Sequence, residues 1–179
     1  SLRDAIAAIE SHDLAEILNS FSCPKNTDVE TFLKNKASAF ERTHNSRTYL
    51  IFDEENMSRG VYAYFSLSFK EIVLNDDISK SQAKRLDGFS KKAEKFRAFL
   101  IGQIGKNTAI KNNPITLNNI LDHIYPILLQ AQDAVGGRVI LIECEDEEKL
   151  LNLYQANNFN ILQKQDLVQM YMIFDSSNT

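Results

Sequence analysis

The stretch Phe99–His123, FLIGQIGKNTAIKNNPITLNNILDH, sets the organisation of the chain. An apolar run passes into the polar loop 107–113, and this loop passes into a segment with the apolar spacing of a helix. Strand–loop–helix units often bind phosphates, because the amides and the dipole at a helix N-terminus attract anions. Such loops usually contain glycine, and residues 107–113 contain none. Two interpretations follow: a phosphate site built without glycine, or a plain turn before a capped helix.

The segments on either side predict a mixed α/β fold. VYAYFSLSF, residues 61–69, alternates in polarity and predicts the second strand of an antiparallel hairpin with one apolar face. Val139–Ile142 is a continuous apolar run, which suits a buried parallel strand. The other predicted elements are amphipathic helices in the first 42 residues, strands near 48–52, 96–104, 159–162 and 167–174, and helices from 115 to Gly136-Gly137 and over about 147–157. The sequence therefore predicts one domain over residues 1–179, with a mixed β-sheet flanked by helices.

Composition narrows the class of protein. A chain of 179 residues that is 44% hydrophobic can bury one sizeable core. It has no apolar run of the roughly 18 residues that a membrane span needs, and no signal-peptide pattern. Cys23 and Cys144 do not form a disulfide framework, and Cys144 is expected to be a small buried apolar residue. His12, His44 and His123 have neither metal-ligand nor catalytic-triad spacing. We expect a soluble cytoplasmic protein without a metal site.

Charge is unevenly distributed along the chain. The net charge is −4, but Lys80–Lys111 contains nine basic and two acidic residues, a net of +7 that leaves −11 elsewhere. Residues 80–95 are predicted to be a basic surface insertion. Such a segment can face a polyanion, and a solvated surface explains it equally well.

The order of these elements resembles the GNAT (GCN5-related) N-acetyltransferases. LLNLYQANNF, Leu150–Phe159, resembles the late helix of that family, in which an apolar-Tyr pair precedes a glycine-aromatic pair. Asn158 stands where glycine is usual, and asparagine also tolerates a left-handed helix terminus. Arg47-Thr48-Tyr49 and Leu67-Ser68 are similar to strands of the toxin-type branch. The resemblance covers roughly residues 20–175.

This resemblance implies a catalytic arrangement. The backbone of Ile104, Gly105 and Lys106 would bind the acetyl-pantetheine arm of acetyl-CoA, with an amide near Gly105 stabilising the oxyanion. Tyr154 would be the general acid that protonates the leaving CoA thiolate. An ordinary strand-end glycine and a core tyrosine are the alternative interpretations. Glu71 and Glu143 are candidate general bases, and plain surface carboxylates explain both.

The resemblance also locates the pyrophosphate loop. The family pattern Gln/Arg-x-x-Gly-x-Gly/Ala falls on KNNPIT, residues 111–116, where every glycine is missing. Asn113 is predicted as the helix N-cap and Pro114 as the first helical residue. The Asn113 side chain would then occupy the amide of Ile115 or Thr116. Pro114 is expected to add no N–H donor, and Pro126 to bend or break the helix near Tyr125. The pyrophosphate-binding residues implied are Lys111, Asn112, Asn113, Ile115 and Thr116.

These features predict an N-acetyltransferase that uses acetyl-CoA as co-substrate. The acceptor stays open among aminoacyl-tRNA, contacted through Lys80–Lys111, a small-molecule amine and a protein lysine. A homodimer is compatible with the sequence. The alternative is a non-catalytic GNAT-fold binding module that has lost the cofactor, which the missing glycines favour.

Overall fold

The computed structural model describes residues 1–174, apart from the side chain of Ser58. The α-helices are α1 Leu2–Ala8, α2 Ser11–Asn19, α3 Thr27–Thr31, α4 Ala37–Arg42, α5 Lys80–Asp87, α6 Leu117–Val135 and α7 Glu148–Gln155. The strands are β1 Arg47–Ile51, β2 Ala63–Val73, β3 Lys95–Lys106, β4 Val139–Cys144, β5 Asn160–Lys164 and β6 Val168–Ile173. A π-helical turn, Phe32–Lys36, joins α3 to α4, and a 3₁₀ turn, Met57–Arg59, precedes β2. Over these residues, no helix combines the length and apolar character needed to cross a bilayer.

The strands form a mixed sheet in the order β1-β2-β3-β4-β6-β5. β1 and β2 pair antiparallel, with Tyr49 opposite Phe65. β3 and β4 are parallel, and α6 lies between them in the chain, as a parallel connection requires. β6 pairs antiparallel with both β4 and β5. The predicted mixed sheet, with its hairpin and parallel strand, is confirmed.

Residues 1–68 and 102–123 form the first of two compact units. Tyr64 lies at the centre of its core, fully buried, with the Phe21 ring edge-on at 5.2 Å between centroids. The Tyr64 hydroxyl donates to the carbonyl of Val29, so the one polar atom of this ring has a partner. The cluster consists of Leu2, Leu14, Leu18, Phe21, Val29, Leu33, Ala37, Val61 and Tyr64.

A buried carboxylate joins α4 to β1 in this unit. Glu41 is 2% exposed and accepts hydrogen bonds from the Arg47 guanidinium at 2.7 Å and from the Thr48 amide at 2.9 Å. Two donors thus offset the desolvation of one buried charge. The Arg-Thr pair that resembles the toxin-type branch therefore has a structural role here.

Residues 69–101 and 124–174 belong to the second unit. Residues of β3, β4 and β6 share one apolar cluster with Leu86 of α5. Its buried members are Ile72, Leu86, Phe96, Ala98, Val139, Leu141, Leu162 and Tyr171. Cys144 is 6% exposed, which confirms the prediction that it is a buried apolar residue.

Two details of the predicted elements are wrong. Val61 to Phe65 are consecutive and each is at most 5% exposed, so the start of β2 is covered on both faces rather than one. A strand enclosed on both sides needs no alternation of polarity. Helix α6 runs through Pro126 without a break, so the predicted break near Tyr125 is wrong, whereas a bend there stays a prediction. Proline removes a single amide donor, and the buried Ile124 and Leu128 on either side offset that loss by packing.

Candidate functional site

The C-terminal part of β3 extends beyond its pairing with β4. Within the described chain, the two strands pair at Phe99, Leu100 and Ile101, opposite Ile140, Leu141 and Ile142. β3 continues to Lys106, so residues 102–106 have no partner on β4. Unpaired amides and carbonyls along a strand can hydrogen-bond another extended chain. This segment contains Ile104, Gly105 and Lys106, the residues implied in pantetheine binding.

Gly105 is required by packing within the first unit. A Cβ at this position would lie 2.6 Å from Cγ1 of Val29, 2.7 Å from Cε1 of Tyr64 and 2.9 Å from Cζ of Phe21. Since side chains alternate along a strand, Ile104 and Lys106 point to the opposite face. The missing side chain therefore makes room for the core. The role of the Gly105 amide towards an oxyanion stays a prediction.

Asn107 fixes the loop that follows β3. Its side chain is 1% exposed and accepts from the amides of Ser22 at 3.1 Å and Ala109 at 3.0 Å. The same side chain donates to the carbonyl of Val61 at 2.8 Å, and the Asn107 amide donates to the carbonyl of Tyr62. A buried amide with these partners holds the loop in one position.

Two asparagines shape the loop where glycine would be expected. Asn112 has φ 57°, the left-handed conformation that glycine normally supplies. The Asn113 side chain donates to the carbonyls of Tyr62 at 2.8 Å and Asn107 at 2.9 Å, and accepts from the Ile115 amide at 3.0 Å. The prediction that Asn113 would occupy an amide after Pro114 is confirmed for Ile115.

Helix α6 begins later than predicted. Asn113 as N-cap and Pro114 as first helical residue are both wrong, because the helix starts at Leu117. Thr116 is the N-cap: its hydroxyl accepts from the Asn119 amide, while the Asn119 side chain accepts from the Thr116 amide at 2.9 Å. This reciprocal pair is a capping box. Asn113 is instead used to hold the loop against the carbonyl of Tyr62.

The donors left for an anion differ from those expected. The amides of Ile115 and Thr116 already have side-chain acceptors. The amides of Leu117 and Asn118, in the first turn of α6, have no hydrogen-bond partner in the described part of the chain. The Lys111 side chain is exposed. No acidic residue occurs between Lys106 and Asn119, so this set of donors suits a pyrophosphate.

The left-handed position in the loop gives a test of stability. Asn112→Ala should lower the free energy of unfolding by about 1 kcal/mol relative to Asn112→Gly, because alanine meets Cβ strain at φ 57° and glycine does not. Denaturant unfolding of both variants measures the difference. Since both lose the asparagine side chain, equal stabilities would contradict the assignment of strain to this backbone.

Tyr154 lies in the second unit, on α7. Its ring is 9% exposed and meets the Phe159 ring edge-on, with centroids 6.1 Å apart. Burial, with a smaller contribution from Cys144, raises the pKa of the phenol to about 12. The group is therefore protonated at neutral pH, as a proton donor must be. After the helix, Asn158 has φ 67°, so the predicted left-handed asparagine is confirmed.

The two candidate bases are engaged in ion pairs. Lys70 Nζ lies 2.6 Å from Oε2 of Glu143, and the Gln169 side chain donates to the other oxygen at 2.8 Å. Lys95 Nζ lies 2.9 Å from Oε1 of Glu71. Each of the two carboxylates thus has a lysine partner.

Sequence reasoning missed Asn107 and Asn119. Asn107 gave no local signal, because its partners come from segments far away in the chain. Asn119 did give one: Thr116-Leu117-Asn118-Asn119 has the spacing of a capping box. The Asn113-Pro114 pair is also typical of a helix start, and it led to the prediction of an earlier one.

Known proteins were compared with the chain. No protein-family model and no curated protein matches it. Solved structures do match. AtaT complexed with acetyl-methionyl-tRNAfMet is 18% identical, covers 87% of this chain and 86% of that chain, and has a TM-score of 0.69. AtaTR bound with AcCoA is 17% identical, with coverage of 87% and 86% and a TM-score of 0.67. A tyrosine-to-phenylalanine mutant of the toxin AtaT, bound to the C-terminus of the antitoxin AtaR, is 15% identical, with coverage of 87% and 83% and a TM-score of 0.64.

The chain has the GNAT fold. This confirms the fold class predicted from the order of its elements. Identities of 18% and below establish the GNAT fold alone, so the chemistry has to be argued from the residues of this chain. The first unit contains the strand segment without a partner on β4 and the loop with its donors. The second unit contains a buried, protonated tyrosine.

Proposed function

We propose that the protein is an N-acetyltransferase that moves the acetyl group of acetyl-CoA to a primary amine. The observation that carries this proposal is segment 102–106 of β3, which has no partner on β4 and leads directly into a loop and helix start rich in donors. An extended pantetheine arm needs strand backbone, and a pyrophosphate needs amides and cations. In a GNAT fold, these two features follow each other along the chain in the order that acetyl-CoA requires.

The pyrophosphate would be held by a mixture of charge and backbone. Lys111 provides an exposed ammonium, the Asn112 side chain an amide donor, and Leu117 and Asn118 provide free N–H groups at the positive end of a 19-residue helix. These donors replace the glycine backbone of the family pattern. Asn113, Ile115 and Thr116 contribute through the conformation of the loop.

The reaction needs one proton donor on the leaving side. The neutral amine attacks the thioester carbon, which forms a C–N bond and places negative charge on the carbonyl oxygen. A backbone amide near Gly105 would stabilise that oxyanion. Collapse breaks the C–S bond, and the CoA thiolate takes the proton of the Tyr154 hydroxyl, which the phenolate then recovers from water. The nitrogen passes its extra proton to water.

The amine of an aminoacyl-tRNA is the acceptor that we favour. AtaT has been solved with acetyl-methionyl-tRNAfMet. In this chain, the nine basic residues of Lys80–Lys111 are all exposed, and eight of them, all but Lys95, form no ion pair within residues 1–174, so their charge is available to phosphates. An aminoacyl-tRNA acceptor would place the protein in the cytoplasm. An antitoxin with a C-terminal segment that binds this chain is part of the same proposal, by analogy with AtaT and AtaR.

Calorimetric titration of acetyl-CoA tests the proposal. We expect saturable binding, and we expect Lys111→Gln to weaken it by roughly tenfold, because one charge-assisted contact to phosphate is lost. Lys36→Gln, which removes an exposed lysine elsewhere in the first unit, is the matched control and should leave the affinity unchanged. Absence of binding at millimolar acetyl-CoA would overturn the enzyme and leave a non-catalytic module with the GNAT fold.

A further inference from the structure

Phe89, in the second unit, is exposed to solvent. Its side chain is 89% exposed, more than any other large apolar side chain in the described chain. The ring lies in the turn between α5 and β3, at residues 88–90. Burial of a phenylalanine contributes about 1.5–3 kcal/mol, and this ring forgoes that stabilisation. An exposed ring of this kind points to a surface that meets a partner.

The turn that carries Phe89 is held by hydrogen bonds within the turn and by close packing. The Asp87 carboxylate accepts from the amides of Phe89 at 3.2 Å and Ser90 at 2.7 Å. Gly88 has φ 91°, and a Cβ there would lie 2.4 Å from Nη1 of Arg138. The backbone is therefore closely packed against the Arg138 guanidinium. A ring on such a turn loses little entropy when it binds.

Basic residues without ion-pair partners in the described chain flank Phe89 in the sequence. Lys84 and Arg85 occupy the last turn of α5, and Lys91 and Lys92 follow the turn. All four are exposed, and none forms an ion pair within residues 1–174. Between Lys80 and Arg97, seven basic and two acidic residues give a net charge of +5 in a chain of net charge −4. The ligand of this surface is therefore expected to be anionic.

A charged cleft lies beside the turn, with a volume of about 460 Å³. Arg97 and Arg138 line it, together with Asp87 from the turn. Lys95 is neutralised by Glu71, but neither arginine has a carboxylate partner among the described residues. Nε of Arg138 is buried without an acceptor. Two unneutralised guanidinium groups on one cleft suit a phosphate, which accepts hydrogen bonds in the bidentate geometry of arginine.

We infer that this surface binds an unpaired nucleotide of an RNA, with its base stacked on Phe89 and its phosphate held by Arg97 and Arg138. An acidic peptide would also match the charge. An apolar peptide side chain needs a pocket that encloses it, whereas Phe89 is 89% exposed and lies outside the lining of the cleft. A flat exposed ring among cations is the arrangement that stacks on bases. The inference rests on the proposed function for the choice of RNA as the polyanion.

Binding of a fluorescein-labelled, single-stranded RNA of mixed sequence, measured by anisotropy without acetyl-CoA, tests this inference. We expect Phe89→Ala to weaken binding by roughly ten- to a hundredfold, the loss of one base stack. Phe89→Trp should retain binding. Because the chain contains no tryptophan, its fluorescence reports stacking directly through quenching by the RNA. Arg138→Gln and Arg97→Gln should each remove one phosphate contact. The slope of log affinity against log salt concentration should then become shallower by about one.

Controls separate stacking from general attraction. Phe69→Ala removes another exposed phenylalanine of the second unit, 62% exposed, and should leave RNA affinity unchanged. An RNA duplex should bind more weakly, since its bases are already stacked on each other. Unchanged affinity of Phe89→Ala, or an unquenched Phe89→Trp, would overturn the inference. So would a glutamate-rich peptide that displaces the RNA and binds more tightly than it does.

The same measurements distinguish this inference from the proposed function. One outcome is a protein whose RNA binding depends on Phe89 but which does not acetylate aminoacyl-tRNA. That outcome would support the inference and contradict the proposed transferase activity on this acceptor. The opposite outcome is a Phe89→Ala variant that acetylates with the wild-type rate and KM and has unchanged oligonucleotide affinity. That outcome would support the transferase and contradict the inference.

Discussion

Tyr154→Phe is expected to lower kcat for acetyl transfer by roughly 10²- to 10⁴-fold, the contribution of a positioned general acid, with the dissociation constant of acetyl-CoA unchanged. The hydroxyl is the one group that the substitution removes, and the ring keeps its contact with Phe159. Without that proton, the CoA sulfur leaves as a thiolate, which slows the breakdown of the intermediate. Single-turnover rates and calorimetry on the same preparations separate the two quantities.

Tyr171→Phe is the matched control, since Tyr171 is another buried tyrosine of the second unit, 5% exposed. It should leave kcat unchanged. An equal fall in acetyl-CoA affinity and kcat in Tyr154→Phe would contradict the acid role and indicate a binding role instead.

The dependence of rate and stability on pH tests the role of Tyr154 as the general acid. The Tyr154 pKa is raised to about 12, so the folded protein keeps the phenol neutral while the unfolded chain ionises it from about pH 10 upward. Below pH 10 both states are protonated, and Tyr154 contributes neither a loss of rate nor a loss of stability. Between pH 10 and 12 its burial destabilises the fold. A rate limb near pH 8 that disappears in Tyr154→Phe would contradict this pKa.

Gly105→Ala is expected to lower the free energy of unfolding by about 1–3 kcal/mol, the range for overpacking a core. The added methyl group would meet Val29, Tyr64 and Phe21 at distances of 2.6 to 2.9 Å, and the two rings have no space to retreat within a packed cluster. Denaturant unfolding followed by circular dichroism measures the change.

Shortening Val29, whose Cγ1 is the atom nearest to the added methyl group, should restore part of the lost stability. Val29→Ala in the Gly105→Ala background removes Cγ1 and should recover part of the lost stability, so that the two substitutions are not additive. Gly136→Ala is the contrasting control: its Cβ would meet nothing within 4 Å, and its effect comes from φ 75° alone. A Gly105→Ala protein of full stability that has lost acetyl-CoA binding would show that the ligand, rather than the core, requires this glycine.

Local sequence patterns predicted much of the fold. The hairpin, the parallel strand after Gly136-Gly137 and the left-handed Asn158 all follow from short-range rules of turn chemistry and polarity. The errors also have local causes. Asn113-Pro114 has the composition of a helix start, and a second candidate, Thr116 with Asn119, lies three residues later; the hydrogen bonds of Asn113 to the carbonyls of Tyr62 and Asn107 decide between them.

By itself, the sequence determined the order of the elements, the glycine-free loop without acidic residues, and the placement of a tyrosine on the late helix. These depend on neighbours in the chain, which composition and spacing describe. Tertiary structure alone decided that Gly105 makes room for Phe21, Val29 and Tyr64, that Asn107 holds the loop, and that Gly88, next to the exposed Phe89, packs against Arg138. Each of these depends on residues that are distant in sequence and meet only when the core closes, so no local pattern contains them.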